Sequence, residues 1–234
     1  MMYDLLDQLR KLDKPPTAEE KALDPQMKLL RAWQTERLRR TYADFLTNPR
    51  YRPATTFFLT DIYGARDFSQ RDQAIEQIYQ SMHRLLPESM LHTLILGMQL
   101  NELTQSLDRE LLDALVNKLG VTDTIAPEQV SQAYRICDNY DERSRQIDLI
   151  VEVGQGIDRL VHIPLVGMTL RLARRPAEWA GWGEFHDILA RGYEAFKGMG
   201  KADAFLDTIE RRERWILERI FAGDENPFES ANMI

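Results

Sequence analysis

Apolar residues recur at helical spacing along almost the whole chain, and this period limits the fold more than any other feature. The stretch 26–47 is the clearest example, with apolar residues at Leu29, Leu30, Trp33, Leu38, Tyr42, Phe45 and Leu46. Residues three or four apart lie on one face of a helix, so this pattern is typical of an amphipathic helix. No useful stretch alternates Val, Ile or Thr with polar residues, as a half-buried strand would. The sequence therefore predicts an all-α fold, a single-domain bundle of about eight to ten helices.

Prolines and glycines divide this pattern into separate helices. Breaks are expected at Lys14-Pro15-Pro16, Asn48-Pro49, Pro87, Gly120 and Pro164. Between them we predict helices over 2–13, 17–24, 26–47, 54–63, 70–86, 87–107, 109–119, 127–162, 165–175, 183–197 and 201–221. One helical domain is expected over residues 1–222. The rest, 223–234, begins with Gly223-Asp224-Glu225-Asn226-Pro227 and is expected to be loosely ordered.

Composition and charge exclude some classes of protein. The chain has 234 residues, of which 44% are hydrophobic and 29% charged, as in ordinary globular proteins. Its formal net charge of −7 argues against nucleic-acid binding, which depends on neutralising phosphates with Lys and Arg. No stretch approaches the roughly eighteen apolar residues that a membrane-spanning helix needs, so no span is expected.

The single cysteine, Cys137, cannot form a disulfide within one chain. The N-terminal residues carry acids early and lack the basic and apolar regions of a signal peptide. Both observations favour a cytoplasmic protein.

Familiar catalytic and nucleotide-binding motifs are missing from the sequence. There is no glycine-rich phosphate loop, no Gly-x-Ser-x-Gly turn, no Cys-x-x-Cys and no His-Glu-x-x-His. The leading expectation is therefore that no cofactor is required.

Two pairs of histidine and carboxylate residues offer an alternative. Glu76 and His83 lie two helical turns apart, and Asp158 and His162 lie one turn apart, so each pair shares a helix face. Imidazole and carboxylate together suit iron or manganese. In the simpler interpretation, His83 and His162 are partly exposed or hydrogen-bonded helix residues.

The spacing of these pairs, Glu-x6-His followed by Asp-x3-His, resembles the ligand pattern of haem-oxygenase-like di-iron oxidases. That family is an all-α bundle with a further glutamate between the pairs. Glu102 matches this position, and Glu110, Glu128 and Glu142 also lie in the interval. The resemblance implies a non-haem di-metal oxidase as the alternative function.

Residues 57–72 concentrate aromatic and charged side chains in one short segment. We name as candidate binding residues Asp61, Tyr63, Arg66, Asp67, Arg71 and Asp72. One interpretation is a pocket whose charged rim recognises a ligand or a partner. The other is a buried corner that aromatic residues fill and Arg–Asp pairs hold in place.

The same segment reads Phe-Phe-Leu-x-Asp-x-Tyr-Gly-x-x-Asp-Phe-x-x-Arg-Asp from Phe57 to Asp72. It resembles the signature of an uncharacterised bacterial family, and the likeness continues through Leu85-Leu86-Pro87 to Leu107-Asp108. The resemblance implies a helical cytoplasmic protein of unknown activity and brings no catalytic residues with it.

The helix predicted over 201–221 combines an apolar side with dense mixed charge. Together with the amphipathic stretch 2–13, it suggests a surface for a second subunit, and two-fold dimers are the commonest oligomers. The sequence thus favours a binding or assembly protein without catalysis of its own, as a homodimer. Neither the class of any small-molecule ligand nor the partner is specified.

Overall fold

The computed structural model describes residues 25–62, 88–179, 183–229 and 231, and within them the protein contains helices and no strand. The α-helices are α1 (Pro25–Thr41), α2 (Ala43–Thr47), α3 (Arg52–Phe57), α4 (Glu88–Asp113), α5 (Pro127–Cys137), α6 (Tyr140–Val161), α7 (Pro164–Trp179), α8 (Gly183–Met199) and α9 (Asp203–Phe221). Short π-helical segments, Phe58–Ile62 and Ala114–Lys118, continue α3 and α4. The predicted all-α, multi-helix fold is confirmed.

Several helix boundaries differ from the prediction. The pattern over 127–162 breaks into α5 and α6 because Asp138 adopts a left-handed conformation with φ 51°, which Asp tolerates better than most residues. The separation predicted between 87–107 and 109–119 is absent, since α4 runs through Asp108 to Asp113. Gly120 has a φ of 67° and ends the π-helical segment, as its position predicts.

The longest helices form the centre of the bundle. α4 and α6 pack along each other, α9 packs against α6, and α8 packs against α7 and α3. One core lies around the phenylalanines of α2, α3, α8 and α9, including the fully buried Phe196 and Phe205. A second core joins α1, the end of α4 and α5 around Leu30, Leu111 and Leu115.

The apolar side of α9 is covered by the rest of the same chain. Phe205, Leu206, Ile216 and Ile220 are all buried there. Much of its charge is also used within the chain, as the pairs between Arg37 and Glu213 and between Arg214 and Asp148 illustrate. The helix that the sequence suggested for a subunit contact is therefore a central helix of this bundle.

The described C-terminal residues, 223–229 and 231, are packed, where the sequence predicted a loose tail from Gly223. Pro227 and Ala231 are buried, and Phe228 packs edge-on against Trp33 with ring centroids 5.3 Å apart. Arg219 donates to the Asp224 carboxylate at 2.6 Å. These contacts attach the segment to α1 and α9, and they give the physical reason for the difference.

Candidate functional site

The first residues of the 57–72 segment lie in the hydrophobic core. Phe57 is buried and contacts Phe58, whose ring in turn packs near Phe196 and Phe205. Asp61 lies on the π-helical segment, but its side chain and the whole of Tyr63, Arg66, Asp67, Arg71 and Asp72 lie outside the described residues. The start of the signature thus has a packing role, and the binding role of its charged part stays a prediction.

The structure describes three of the five residues that the di-metal hypothesis names. Glu102 is exposed on α4. The Asp158 carboxylate accepts a hydrogen bond from the Ala202 backbone amide at 3.1 Å, at the start of α9. The His162 side chain is 53% exposed, and its Nδ1 lies 2.6 Å from the Asp158 backbone carbonyl oxygen.

Glu76 and His83 lie outside the described residues. Within the described part of the chain, no three His, Cys, Asp or Glu side chains are grouped as a metal site would require. Because one of the two proposed ligand pairs is not described, the di-metal hypothesis stays a prediction.

A cleft lined by polar and apolar side chains lies between α1, α4, α6 and α9, and we call it the central cleft. It contains a cavity of about 60 Å³. The polar side chains that line it are Gln34, Arg37, Thr104, Asp108, Arg143, Gln146 and Glu213, and apolar residues such as Ile147 and Leu217 form its walls. Buried polar groups normally carry hydrogen-bond partners, so their contacts show which of them are committed to the fold.

On the α1–α9 side of the central cleft, the charges are fully paired. Arg37 donates to both carboxylate oxygens of Glu213, at 2.6 and 2.8 Å, and the Tyr42 hydroxyl donates to the same carboxylate at 2.8 Å. Burial acts to lower the pKa of Arg37, but the charge and hydrogen bond of Glu213 outweigh it and the pKa is raised. This pair is charged and structural.

On the α4–α6 side the groups are less completely partnered. Arg143 is 4% exposed, donates to the Leu107 carbonyl oxygen at 3.0 Å and reaches Gln146 only at 3.4 Å. Its Nε has no hydrogen-bond partner, and its guanidinium carbon lies 4.3 Å from the centroid of the Tyr134 ring. Asp108 is 5% exposed and accepts one hydrogen bond, from Gln34 at 2.8 Å.

Burial raises the pKa of Asp108 above its ordinary value, although Gln34 and the charges of Arg143 and Arg31 act in the opposite direction. The net result is an environment that favours the neutral carboxylic acid more than water does. A protonated Asp108 has a hydrogen to donate into the cleft, which an ionised one lacks.

A second feature lies on the surface of α7. Four large apolar side chains, Leu165, Met168, Leu172 and Trp179, are exposed there; Leu172 is 71% and Trp179 86% exposed. Their spacings of three, four and seven residues place them on one face, which we call the α7 ridge. The opposite side of α7 is buried through Val166 and Leu170. Arg171 and Arg175 border the ridge and are also exposed.

One signal in the sequence indicates the buried Arg212, and another indicates the α7 ridge. The predictions made from the sequence used neither signal. Arg212 falls in register with the buried Phe205 and Ile216 of α9, which indicates an arginine on the inner face. In α7, apolar residues occur on two sides of the helix, more than one packed face requires. The placement of Arg143 and Asp108 around one cavity has no such local signal, because they come from different helices.

No curated protein and no solved structure matches this chain. In the described residues, no helix has both the length and the apolar character to cross a bilayer. A model of a protein family described as a domain of unknown function, DUF8198, matches residues 13–227. That match includes the 57–72 segment, the central cleft and the α7 ridge. The chain therefore belongs to the DUF8198 family.

Proposed function

We propose that this protein acts by binding and assembly, as a cytoplasmic homodimer that forms through the α7 ridge, and not by catalysis. The observation that carries the proposal is the exposure of Leu165, Met168, Leu172 and Trp179 on one helix face. Single exposed apolar residues are common, but a contiguous apolar surface on a folded domain usually marks an interaction site. Tryptophan and methionine are also enriched in protein interfaces.

The partner that covers the α7 ridge in this proposal is a second copy of the chain. Two α7 helices related by a two-fold axis can place Leu172 against its own counterpart, with the neighbouring ridge residues closing the contact on both sides. Such isologous contacts need only one surface per chain, and they generate the commonest class of oligomer. The heptad-like spacing of the ridge matches the seam through which helices pair.

The arginines that border the ridge select the orientation of the pair. Arg171 and Arg175 lie on the same edge of the ridge, at positions four residues apart. In an antiparallel pair the two copies of this edge come together and their charges repel. In a parallel pair each arginine edge faces the other edge of the partner, near Thr169 and Ala173. Like charges placed opposite each other are unfavourable, so we expect the parallel arrangement.

The first test is the mass of the protein in solution. Sedimentation equilibrium or light scattering at micromolar concentration should give twice the chain mass of 27.3 kDa. Leu172→Glu introduces two charges at the two-fold contact and should give the monomer. Ile136→Glu, which changes an exposed apolar residue on α5, is the matched control and should leave the dimer intact. A monomeric wild-type protein, or a dimer that survives Leu172→Glu, would refute the assignment.

The second test distinguishes the orientations and a competing occupant. In a Cys137→Ala background, Leu165→Cys should form a disulfide-linked dimer on mild oxidation if the helices are parallel. Asp123→Cys, exposed and outside the ridge, is the control and should remain unlinked. An apolar ridge bordered by arginines is also typical of helices that bind anionic membrane surfaces. A monomer that sediments with phosphatidylglycerol vesicles, and is released by Leu172→Glu, would replace the homodimer with a lipid surface.

A further inference from the structure

The α4–α6 side of the central cleft contains a buried positive charge without a carboxylate partner. No described carboxylate oxygen lies within the 4.0 Å ion-pair distance of the Arg143 guanidinium, although this side chain is almost completely buried. Removing a charged group from water is costly unless it is paired and hydrogen-bonded. Two further arginines follow this rule, since the buried Arg212 binds Asp44 and Arg37, whose side chain is 17% exposed, binds Glu213. Arg143 is the exception among these three.

Arg143 and Asp108 line the same cavity. The charge of Arg143 acts to lower the pKa of Asp108, although the two side chains form no ion pair. The cavity is lined by both polar and apolar side chains, and its volume of about 60 Å³ is comparable to about two water molecules at their liquid volume. A carboxylate group is of similar size and supplies two acceptor oxygens.

We infer that the central cleft is a binding site for a small monocarboxylate anion, held by Arg143 and Gln146 and facing Asp108. One carboxylate oxygen accepts from Nη1 of Arg143, whose hydrogen bond to Gln146 is long at 3.4 Å. The other oxygen accepts from the second N–H of the Gln146 amide, whose first N–H donates to Thr104. A hydrogen bond from arginine to a carboxylate is charge-assisted and therefore strong. Asp108 faces the anion on the other side, and where this carboxyl group is protonated its O–H donates a hydrogen bond to the anion.

The size of the cavity and its walls restrict the ligand. Ile147, Ile150 and Leu217 border the polar groups, so a ligand with a short apolar chain places this chain against them. Two- to three-carbon acids such as acetate and propionate fit this description. The Arg37–Glu213 pair is already complete and offers no competing anion site. This site is separate from the α7 ridge, and its assignment does not depend on the homodimer.

Three variants test the roles of the lining residues. Arg143→Met keeps much of the side-chain volume and removes the donor, and it should weaken binding at least about tenfold, as expected for loss of a charge-assisted pair. Gln146→Glu supplies a carboxylate from within the chain next to Arg143, and it should abolish binding while the protein remains folded. Asp108→Asn keeps a donor toward the anion and removes any negative charge, so it should bind propionate at least as tightly as the wild type.

The measurement is isothermal titration calorimetry with sodium propionate at constant ionic strength and in a buffer free of carboxylates, with sodium chloride as the ion control. Arg212→Met, which removes a buried arginine outside the cleft, is the matched control and should bind propionate normally. The expected result is saturable binding of propionate to the wild type, which Arg143→Met weakens and Gln146→Glu abolishes. Absence of binding in the wild type would show that the cavity holds water only, and binding that persists in Gln146→Glu would place the anion elsewhere. Circular dichroism of each variant identifies any loss due to unfolding.

Discussion

Arg212 of α9 donates to both carboxylate oxygens of Asp44 of α2, from Nη1 to Oδ1 at 2.8 Å and from Nη2 to Oδ2 at 2.9 Å. The arginine also donates to the Thr41 carbonyl oxygen at 3.0 Å, and it lies 5.1 Å from the centroid of the Phe45 ring. Its side chain is 4% exposed, whereas that of Asp44 is 45% exposed. The two ends of this ion pair therefore have very different access to water.

This difference predicts unequal effects of removing the two partners. Asp44→Ala leaves a buried guanidinium without its carboxylate and should lower the free energy of unfolding by roughly 2–3 kcal/mol. Arg212→Met leaves a carboxylate that water can solvate and fills the arginine's space, so it should cost less. Urea denaturation of the two variants measures the order. An Arg212→Met protein that is less stable than Asp44→Ala would contradict the argument.

Two glycines of α8 should respond in opposite ways to alanine. A Cβ at Gly192 would lie 2.9 Å from Cζ of Phe57, the first residue of the 57–72 signature, and this ring is buried in the core. Gly192→Ala should therefore destabilise the protein by about 1–3 kcal/mol through overpacking. Gly198 is exposed, and a Cβ added there would meet no atom within 4 Å, so Gly198→Ala should raise stability by up to about 1 kcal/mol. Thermal unfolding of both variants provides the comparison, and equal melting temperatures would show that Phe57 can move aside.

Glycine also explains why part of the fold was harder to predict. Gly154 and Gly156 are poor helix formers inside the pattern predicted over 127–162, yet both lie within α6. A Cβ at Gly156 would be 2.5 Å from Oγ1 of Thr93 in α4, and Gly154 is likewise in close approach to Leu206 of α9. These glycines allow neighbouring helices to come near, and this tertiary gain overrides their poor helix propensity. Local periodicity predicts that the helices exist, but close approaches between them depend on packing.

The central cleft was even less predictable from the sequence than the close approaches between helices. The sequence singled out the aromatic and charged segment 57–72, because unusual composition is visible locally. Nothing in the sequence near Arg37 indicates its ion-pair partner Glu213, which lies 176 residues later. Asp108 and Arg143 are each ordinary residues of amphipathic helices. Their relation arises only when α4 and α6 pack side by side.

The Arg37–Glu213 pair should be more sensitive to loss of charge than to loss of one hydrogen bond. Glu213→Gln leaves Arg37 buried without a counter-charge and should lower the free energy of unfolding by about 3 kcal/mol. Tyr42→Phe removes one of the hydrogen bonds to the carboxylate and should cost about 1 kcal/mol. Glu36→Gln, which affects only exposed pairs with Arg39 and Arg40, should change stability by less than about 0.5 kcal/mol. Chemical denaturation of the three variants tests this order, and it would be wrong if Glu36→Gln matched Glu213→Gln.

Asp108 should make stability depend on pH in the direction opposite to that of a typical ion-paired carboxylate. Burial raises the pKa of Asp108, so as the pH rises above about 4 the unfolded chain loses this proton first, while the folded protein still holds it. Over that range the unfolded state binds fewer protons, and the contribution of Asp108 to the free energy of unfolding falls as the pH increases.

Asp108→Asn removes this titration and retains an oxygen to accept from Gln34. Compared with the wild type, the variant should therefore gain stability progressively above about pH 4 and show no such gain below it. Urea denaturation across this range, in buffers without carboxylates, measures the difference, with the exposed Asp123→Asn as control. A difference between Asp108→Asn and wild type that stays constant with pH would show that Asp108 titrates alike in both states.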